Sequence, residues 1–194
     1  MPIGLLDYGA GNLGSVCNAL TRLGEEFRFI EKASDFDTFE KIIFPGDGHF
    51  GTTMAALEKL NYKESLIKRL NDNKSFLGIC IGLQVLFEAS EEAPDVAGLG
   101  FIKGKVKKFD APKVPLIGWN KTGDDFFYYI HSYYVEPVDK SIVALQANYG
   151  LDYCAAVQQG NICAVQFHPE KSGLKGLSLL DKWLKTGNIS GGKQ

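Results

Sequence analysis

The segment Gly78-Ile79-Cys80-Ile81-Gly82 sets a cysteine between two glycines. An apolar stretch precedes it and a helix-forming one follows, so Cys80 sits at a sharp strand-to-helix turn, the thiol counterpart of G-x-S-x-G. Such a turn is crowded, and both flanks need small residues. It lifts the side chain out of the sheet and sets it at a helix N-terminus. Partial positive charge there favours the thiolate, the reactive form. The Ile81 backbone N–H is then placed to stabilise an oxyanion.

A cysteine nucleophile needs a base to take up and return a proton. The chain has three histidines. His168 ends the apolar run Val165-Gln-Phe-His168-Pro-Glu170, and Pro169 favours extended geometry at the residue before it. In extended chain i and i+2 point the same way. Glu170 can therefore orient one ring nitrogen and leave the other for the thiol, the logic of a nucleophile–base–orienter triad. His131, inside Tyr128-Tyr-Ile-His-Ser-Tyr-Tyr134, reads as a packed, hydrogen-bonded residue rather than a base. His49 follows Pro45-Gly-Asp-Gly48 and reads as a helix-entry residue. Cys17, Cys154 and Cys163 read as small buried hydrophobes. None of the four cysteines forms a CxxC pair, so no zinc or other metal site is expected.

Strands joined by helices must position these groups. IGLLDY reads as a buried strand, FRFIE as a second short strand, and KIIFPG and SFLGIC as a third and a fourth. Helices are expected at 13–24, 53–60, 63–71 and 83–89. That alternation implies βαβ crossovers and a parallel sheet. After residue 100 the pattern changes. Segments 101–109, 113–118, 126–135, 142–147, 153–158 and 162–167 are rich in Val, Ile, Tyr and Phe and are separated by turn residues, as in hairpins. A last helix is expected at 176–185, then a polar tail from 187. The expectation is α/β: one domain over 1–194, a mostly parallel central sheet flanked by helices and extended by antiparallel strands.

The chain of 194 residues is 45% hydrophobic and 23% charged, with formal net charge -2. A nucleic-acid binder should show a basic excess or stripe. Lys103, Lys105, Lys107 and Lys108 form the densest basic run, and three of them alternate, as on the wet face of a strand. No apolar run approaches the ~20 residues of a membrane span. The N-terminus enters a strand directly, without a signal-peptide pattern. No nucleic acid, membrane or cofactor is called for, and the expected location is cytoplasmic.

A reading from another class competes. Gly9-Ala-Gly11-Asn-Leu-Gly14 matches G-x-G-x-x-G between a strand and a helix, and Glu31 lies twenty residues past Gly11. That is the setting of a dinucleotide fingerprint. Against NAD binding, Asp7 and Tyr8 crowd the place of the pyrophosphate, and little chain remains for a substrate domain.

Taken together, these motifs resemble class I, or triad-type, glutamine amidotransferases. LDYGAGNLGSV, PGDGHF, GICIGLQ, GWN, HSYY, QFHPEKSG and GLSLL occur in the expected order from about residue 3 to 185. They are most similar to the glutaminase subunits of imidazole glycerol phosphate synthases, and this breadth sets the NAD reading aside. The resemblance implies that Cys80 attacks the amide carbon of L-glutamine, with His168 and Glu170 completing the triad. It implies an oxyanion site from Asp47, Gly48 and Ile81, and substrate contacts from Gly46, Gln84, His131, Ser132 and Tyr133. Asn12, Tyr134 and Lys171 would face a (β/α)8 cyclase or synthase subunit in a heterodimer, which receives the ammonia for histidine biosynthesis. Two departures bear on the acceptor. Asp47 stands where the family has Val in Pro-Gly-Val-Gly, and Pro115-Leu-Ile-Gly-Trp-Asn120 replaces Pro-His-Met-Gly-Trp-Asn. A paralogue that feeds another synthase, such as one amidinating surface sugars, is the alternative.

Overall fold

Ile3–Leu6, Ile42–Phe44, Phe76–Ile79 and Ile162–Val165 are buried at every position. Continuous burial marks parallel strands covered on both faces. The structure, a computed structural model, describes residues 2–9, 13–111 and 113–189. Its strands are β1 (Ile3–Leu6), β2 (Phe27–Ile30), β3 (Ile42–Phe44), β4 (Phe76–Ile79), β5 (Phe87–Ser90), β6 (Ile102–Lys108), β7 (Leu116–Thr122), β8 (Asp125–His131), β9 (Tyr133–Pro137), β10 (Val143–Asn148), β11 (Asp152–Gln159) and β12 (Ile162–Val165). The helices are α1 (Leu13–Arg22), α2 (Phe50–Lys59), α3 (Lys63–Asn71), α4 (Ile81–Gln84) and α5 (Gly173–Thr186).

Strands β2-β1-β3-β4-β12 run parallel, and β11, β10, β7 and β8 continue the sheet antiparallel. A branch joins β9 to β11, β6 to β9, and β5 to β6. Met54 and Leu57 of α2 with Leu66 and Leu70 of α3 pack in one core cluster. Val16 and Leu20 of α1 with Leu180 and Trp183 of α5 pack in the other. This is the expected α/β sheet with an antiparallel extension. Along β6 the lysines alternate with buried Ile102, Gly104 and Val106, so the basic run is a wet strand face.

Four elements differ from expectation. The helix expected at 83–89 is the single turn α4, followed by strand β5. Val85, Leu86 and Phe87 are fully buried, and Phe87 pairs with Ile102. Val85 and Leu86 form the turn between α4 and β5, in which Glu88 is exposed, and so short an apolar run does not tell strand from helix until tertiary pairing decides. The expected strand 126–135 is two strands, β8 and β9, broken at Ser132, because β8 pairs β7 while β9 pairs β6 and β11. Strand β7 begins at Leu116 rather than 113. Pro115 lacks the N–H a central ladder needs. Helix α5 begins at Gly173 and ends against Gly187, which takes φ 73° and closes the last turn.

Candidate active site

The register of three neighbouring parallel strands builds the site. Phe44 of β3 lies beside Gly78 of β4, and Ile79 of β4 beside Val165 of β12. All three strands stop at one edge. The 45–48 loop follows β3, Cys80 follows β4, and His168 follows β12 three residues past its end. Carboxyl ends of parallel strands are where open α/β sheets bind ligands.

Cys80 takes φ 53° and ψ -103°, an unfavourable backbone for a residue with a Cβ. Its N–H donates to the Val165 carbonyl at 2.8 Å, which pins the turn to β12. A Cβ at Gly78 would collide with the Gly82 carbonyl, and one at Gly82 with the Phe44 carbonyl. The two glycines are thus dictated by close backbone approach. Ile81 is the first residue of α4, at the positive end of that turn.

His168 and Glu170 are 1% and 2% exposed, and Nδ1 lies 2.7 Å from the Glu170 Oε1. The pair does not meet along an extended strand. His168 is extended, but Pro169–Lys171 is a 3-10 turn that folds the carboxylate back onto the ring. Ser172 fixes the backbone here: its Oγ donates to the His168 carbonyl at 2.6 Å and accepts from the Tyr128 N–H at 2.9 Å. The His168 N–H donates to the Tyr128 carbonyl at 2.8 Å. The His168 Nε2 and the Glu170 Oε2 are buried without a hydrogen-bond partner among the described residues. Burial alone would push the imidazolium down. The Cys80 sulfur, then the Glu170 carboxylate, outweigh it and raise His168 to about 10.

Gly46 is wedged over α4, where a Cβ would collide with the Ile81 side chain and the Tyr8 hydroxyl. Asp47 and Gly48 are exposed on the same loop. Tyr8 is buried, and burial, opposed by Thr53 and reinforced by Asp47 and Cys80, raises its hydroxyl well above the usual range and holds it protonated.

Gln84 lies one turn past Cys80, and its Nε2 donates to the Tyr133 carbonyl at 3.1 Å. That carbonyl also accepts from the His131 Nδ1 at 2.7 Å. His131 is buried among Phe109, Tyr129 and Tyr153. Burial, against the Tyr133 bond, lowers it to about 4, and it is neutral near pH 7. Ser132 accepts the Phe109 N–H through its carbonyl at 3.0 Å. Tyr134 packs against Phe109, with ring centroids 4.8 Å apart and planes tilted by 34°. Lys171 donates its N–H to the His168 carbonyl at 3.0 Å, on the histidine turn. Asn12 lies outside the described residues. At the start of its loop, Gly9 donates its N–H to Asp7 Oδ1 at 2.9 Å, so that donor is already engaged and does not face a pyrophosphate.

His49 caps α2, its Nδ1 accepting from the Gly51 N–H at 3.1 Å. Cys154 and Cys163 are buried, and burial pushes each thiol up to about 12. Cys17 is only half-buried, on the flank of α1. Gln166 was not singled out by sequence. It is fully buried, and its Nε2 lies 3.6 Å from the Cys80 sulfur. The signal was present, since Gln166 stands two residues before His168 and shares its side of the strand end.

The family profile Glutamine amidotransferase class-I matches residues 4–185. The chain is 40% identical over 196 residues to "Imidazole glycerol phosphate synthase subunit HisH" of Methanothermobacter thermautotrophicus, covering 94% of this chain and 98% of that protein. It is 42% identical over 193 residues to the protein of the same name from Deinococcus radiodurans, covering 91% and 89%. "Imidazole glycerol phosphate synthase hisHF, chloroplastic" of Arabidopsis thaliana is 42% identical over 197 residues, but the match spans 33% of that longer protein and 93% of this chain. A solved structure described as a glutamine amidotransferase superposes with TM-score 0.78 at 21% identity, over 96% of this chain and 99% of that one. The chain therefore belongs to the class I glutamine amidotransferase family, on the branch of the HisH subunits of imidazole glycerol phosphate synthase.

Proposed function

We propose that this chain is the glutaminase subunit of an imidazole glycerol phosphate synthase in histidine biosynthesis. It hydrolyses L-glutamine to glutamate and ammonia and hands the ammonia to a (β/α)8 synthase partner. One observation carries the reading: β4 and β12, adjacent and in register, deliver Cys80 and the buried His168–Glu170 pair to the same edge. The Cys80 thiolate attacks the amide carbon, and His168 protonates the departing ammonia. His168 then activates a water that cleaves the thioester, and Glu170 holds the ring throughout. The N–H groups of Ile81 and of the 46–48 loop receive the oxyanion. Gly46, Gln84, His131, Ser132 and Tyr133 line the place of the substrate.

The partner's place is supported by the outer face of the β7–β8 hairpin. Ile117, Trp119 and Phe126 are 58%, 56% and 54% exposed and share one face through the Ile117–Ile130, Trp119–Tyr128 and Lys121–Phe126 pairs. Exposed apolar groups of this size mark an interaction surface. The same strand holds the His168 backbone through the Tyr128 carbonyl, so docking is one strand away from the triad. The family resemblance assigns Asn12, Tyr134 and Lys171 to partner contacts as well, and the histidine-pathway role carries a cytoplasmic location with it.

The test is glutamate release by the chain alone, then with a (β/α)8 partner and its acceptor nucleotide. Slow basal turnover and strong stimulation are expected, because oxyanion donors need not align until the complex forms. Full turnover indifferent to any partner overturns the transfer of ammonia. No turnover under any of these conditions overturns the glutaminase itself.

A further inference from the structure

We propose that Gln166 is a positioning residue for Cys80, the last member of a directed amide relay that starts at the Tyr133 carbonyl, passes through Gln84 and ends with an N–H held on the Cys80 sulfur. The inference rests on Cys80 being the nucleophile.

The direction of the relay follows from donor and acceptor types. A backbone carbonyl only accepts. The Gln84 atom 3.1 Å from the Tyr133 oxygen is therefore its Nε2. That nitrogen also lies 3.2 Å from Gln166, whose facing atom must be Oε1. The far end of the Gln166 amide is then Nε2, at 3.6 Å from the Cys80 sulfur. An amide's oxygen and nitrogen look alike by shape, and here the network fixes both. Gln84 and Gln166 are 4% and 0% exposed, so neither amide can turn to water.

The relay acts on the charge state of the sulfur. When Cys80 ionises, its proton passes to the His168 Nε2, which is buried and has no other hydrogen-bond partner among the described residues. A thiolate is a stronger acceptor than a thiol, so the Gln166 N–H tightens as the charge forms. The Ile130 carbonyl, 3.9 Å from the sulfur, works the other way, since it accepts from the thiol and opposes the thiolate. Other titratable groups around the sulfur are Glu170 behind His168, Tyr8 under the 45–48 loop, Asp47 on that loop, and His131, whose Nδ1 shares the Tyr133 carbonyl that anchors the relay. All of them remain when Gln166 is replaced.

The experiment is the pH dependence of Cys80 alkylation by iodoacetamide in the full chain, read peptide by peptide with mass spectrometry. Gln166→Met should move the alkylation midpoint up by about one unit, the scale of losing one hydrogen bond to a charged group. Glutamine hydrolysis should lose kcat by a similar factor of about ten, with KM little changed. A merely structural loss would not move the midpoint. A midpoint equal to that of the unsubstituted chain overturns the relay and leaves the nucleophile standing. A Cys80 that resists alkylation at every pH in the unsubstituted chain overturns the nucleophile instead. If Gln166→Met does not fold, side-chain ¹⁵N resonances of glutamine decide in the unsubstituted chain. The Gln166 amide should shift with the alkylation midpoint and lose that shift in Cys80→Ala. A Gln166 resonance indifferent to Cys80 ionisation overturns the proposal.

Discussion

The two edges of the parallel sheet use buried polar groups in opposite ways. At the amino-terminal edge, Arg69 is 1% exposed, and its two terminal nitrogens donate to the carbonyls of Phe36, Phe39, Glu40 and Ser75 at 2.8 to 3.0 Å. Burial lowers the guanidinium to about 10, with Asp37 opposing, so it remains a cation. Nearby, Asn73 accepts from the Asn161 N–H and receives its side-chain amide, tying the starts of β4 and β12 together. Among the described residues only the Arg69 Nε and the Ser75 Oγ lack partners in this cluster. At the carboxyl-terminal edge the His131 Nε2, the His168 Nε2 and the Glu170 Oε2 are buried without a hydrogen-bond partner among the described residues. Unpaired buried polar atoms are costly, and a native chain keeps them where a ligand or a reaction uses them. The satisfied edge holds the strands in register, and the unsatisfied edge does the chemistry.

The largest effect should come from the unsatisfied edge. Cys80→Ala is expected to lower glutamine hydrolysis by about 10⁴-fold or more, as for a removed nucleophile. Above pH about 10, where the His168 contribution is already lost, its unfolding free energy should stay within about 1 kcal/mol of the unsubstituted chain. A synthase partner supplied with free ammonium should still form product with this variant. Because Cys80 holds φ 53°, Cys80→Gly should be more stable than Cys80→Ala by about 1 kcal/mol, relieving backbone strain. Undiminished glutamate release by Cys80→Ala would erase the contrast between the edges.

The satisfied edge should answer in the opposite currency. Arg69→Met leaves the buried Phe36 and Phe39 carbonyls and the half-buried Glu40 carbonyl without this donor, while the Ser75 carbonyl keeps the Ile42 N–H, and is expected to destabilise by about 3 kcal/mol. Turnover per folded molecule should be unchanged. Denaturant unfolding and active-site titration of the same sample separate the two quantities. A loss of kcat at full folding would place Arg69 in the site's machinery.

Acid should sharpen the comparison through His131. Its folded value, about 4, lies below the ordinary 6.5, so the folded chain binds fewer protons there than the unfolded one. Stability therefore falls as pH drops from about 6.5 towards 4, by about 3 kcal/mol at most. His168 is raised instead, so its contribution is complete below 6.5 and is lost as pH rises through about 10. It adds no slope in the acid window. His131→Asn should flatten the acid limb, and Cys80→Ala, which removes a main cause of the His168 shift, should flatten the alkaline one. Unfolding midpoints across pH 4 to 10 check both, and parallel curves for all three proteins would refute the assignment.

How far the sequence could be read follows the same division. Cys80 was legible because Gly78 is dictated locally, by the Gly82 carbonyl, although Gly82 itself answers to the Phe44 carbonyl of the neighbouring strand. His168 and Glu170 were legible as a pair, although a 3-10 turn rather than an extended strand joins them. Strand β5 was not legible, since Val85-Leu86-Phe87 carries no period that separates a buried strand from a helix, and only its pairing with β6 decides. The break at Ser132 was hidden for the same reason, because β8 and β9 differ in partners and not in composition. Gln166 was missed because its role depends on Gln84, 82 residues away in the chain. Local chemistry is written in the sequence, whereas contacts across the sheet need the fold.

The smallest expected effect lies on the loop that covers the unsatisfied edge. Asp47 is exposed, within electrostatic reach of buried Tyr8, on a loop whose Gly46 touches Ile81 and the Tyr8 hydroxyl. A carboxylate near a developing oxyanion is unfavourable. At ~4 Å two like charges repel by about 1 kcal/mol in water and by about 4 kcal/mol at an effective dielectric near 20. Exposure puts Asp47 near the first figure. Its side chain should point away from Cys80 while a loop N–H turns inward, and the flanking glycines permit that peptide rotation. Partner docking then has a charge to displace, which holds basal turnover down. Asp47→Val should raise basal glutamine hydrolysis by about fivefold, the equivalent of about 1 kcal/mol, and change the partner-stimulated rate less. The stimulated-to-basal ratio should fall accordingly, measured with and without partner and acceptor at matched occupancy. Equal ratios in the two proteins, at unchanged partner affinity, would make Asp47 a solvated turn residue and leave control of the loop to its backbone alone.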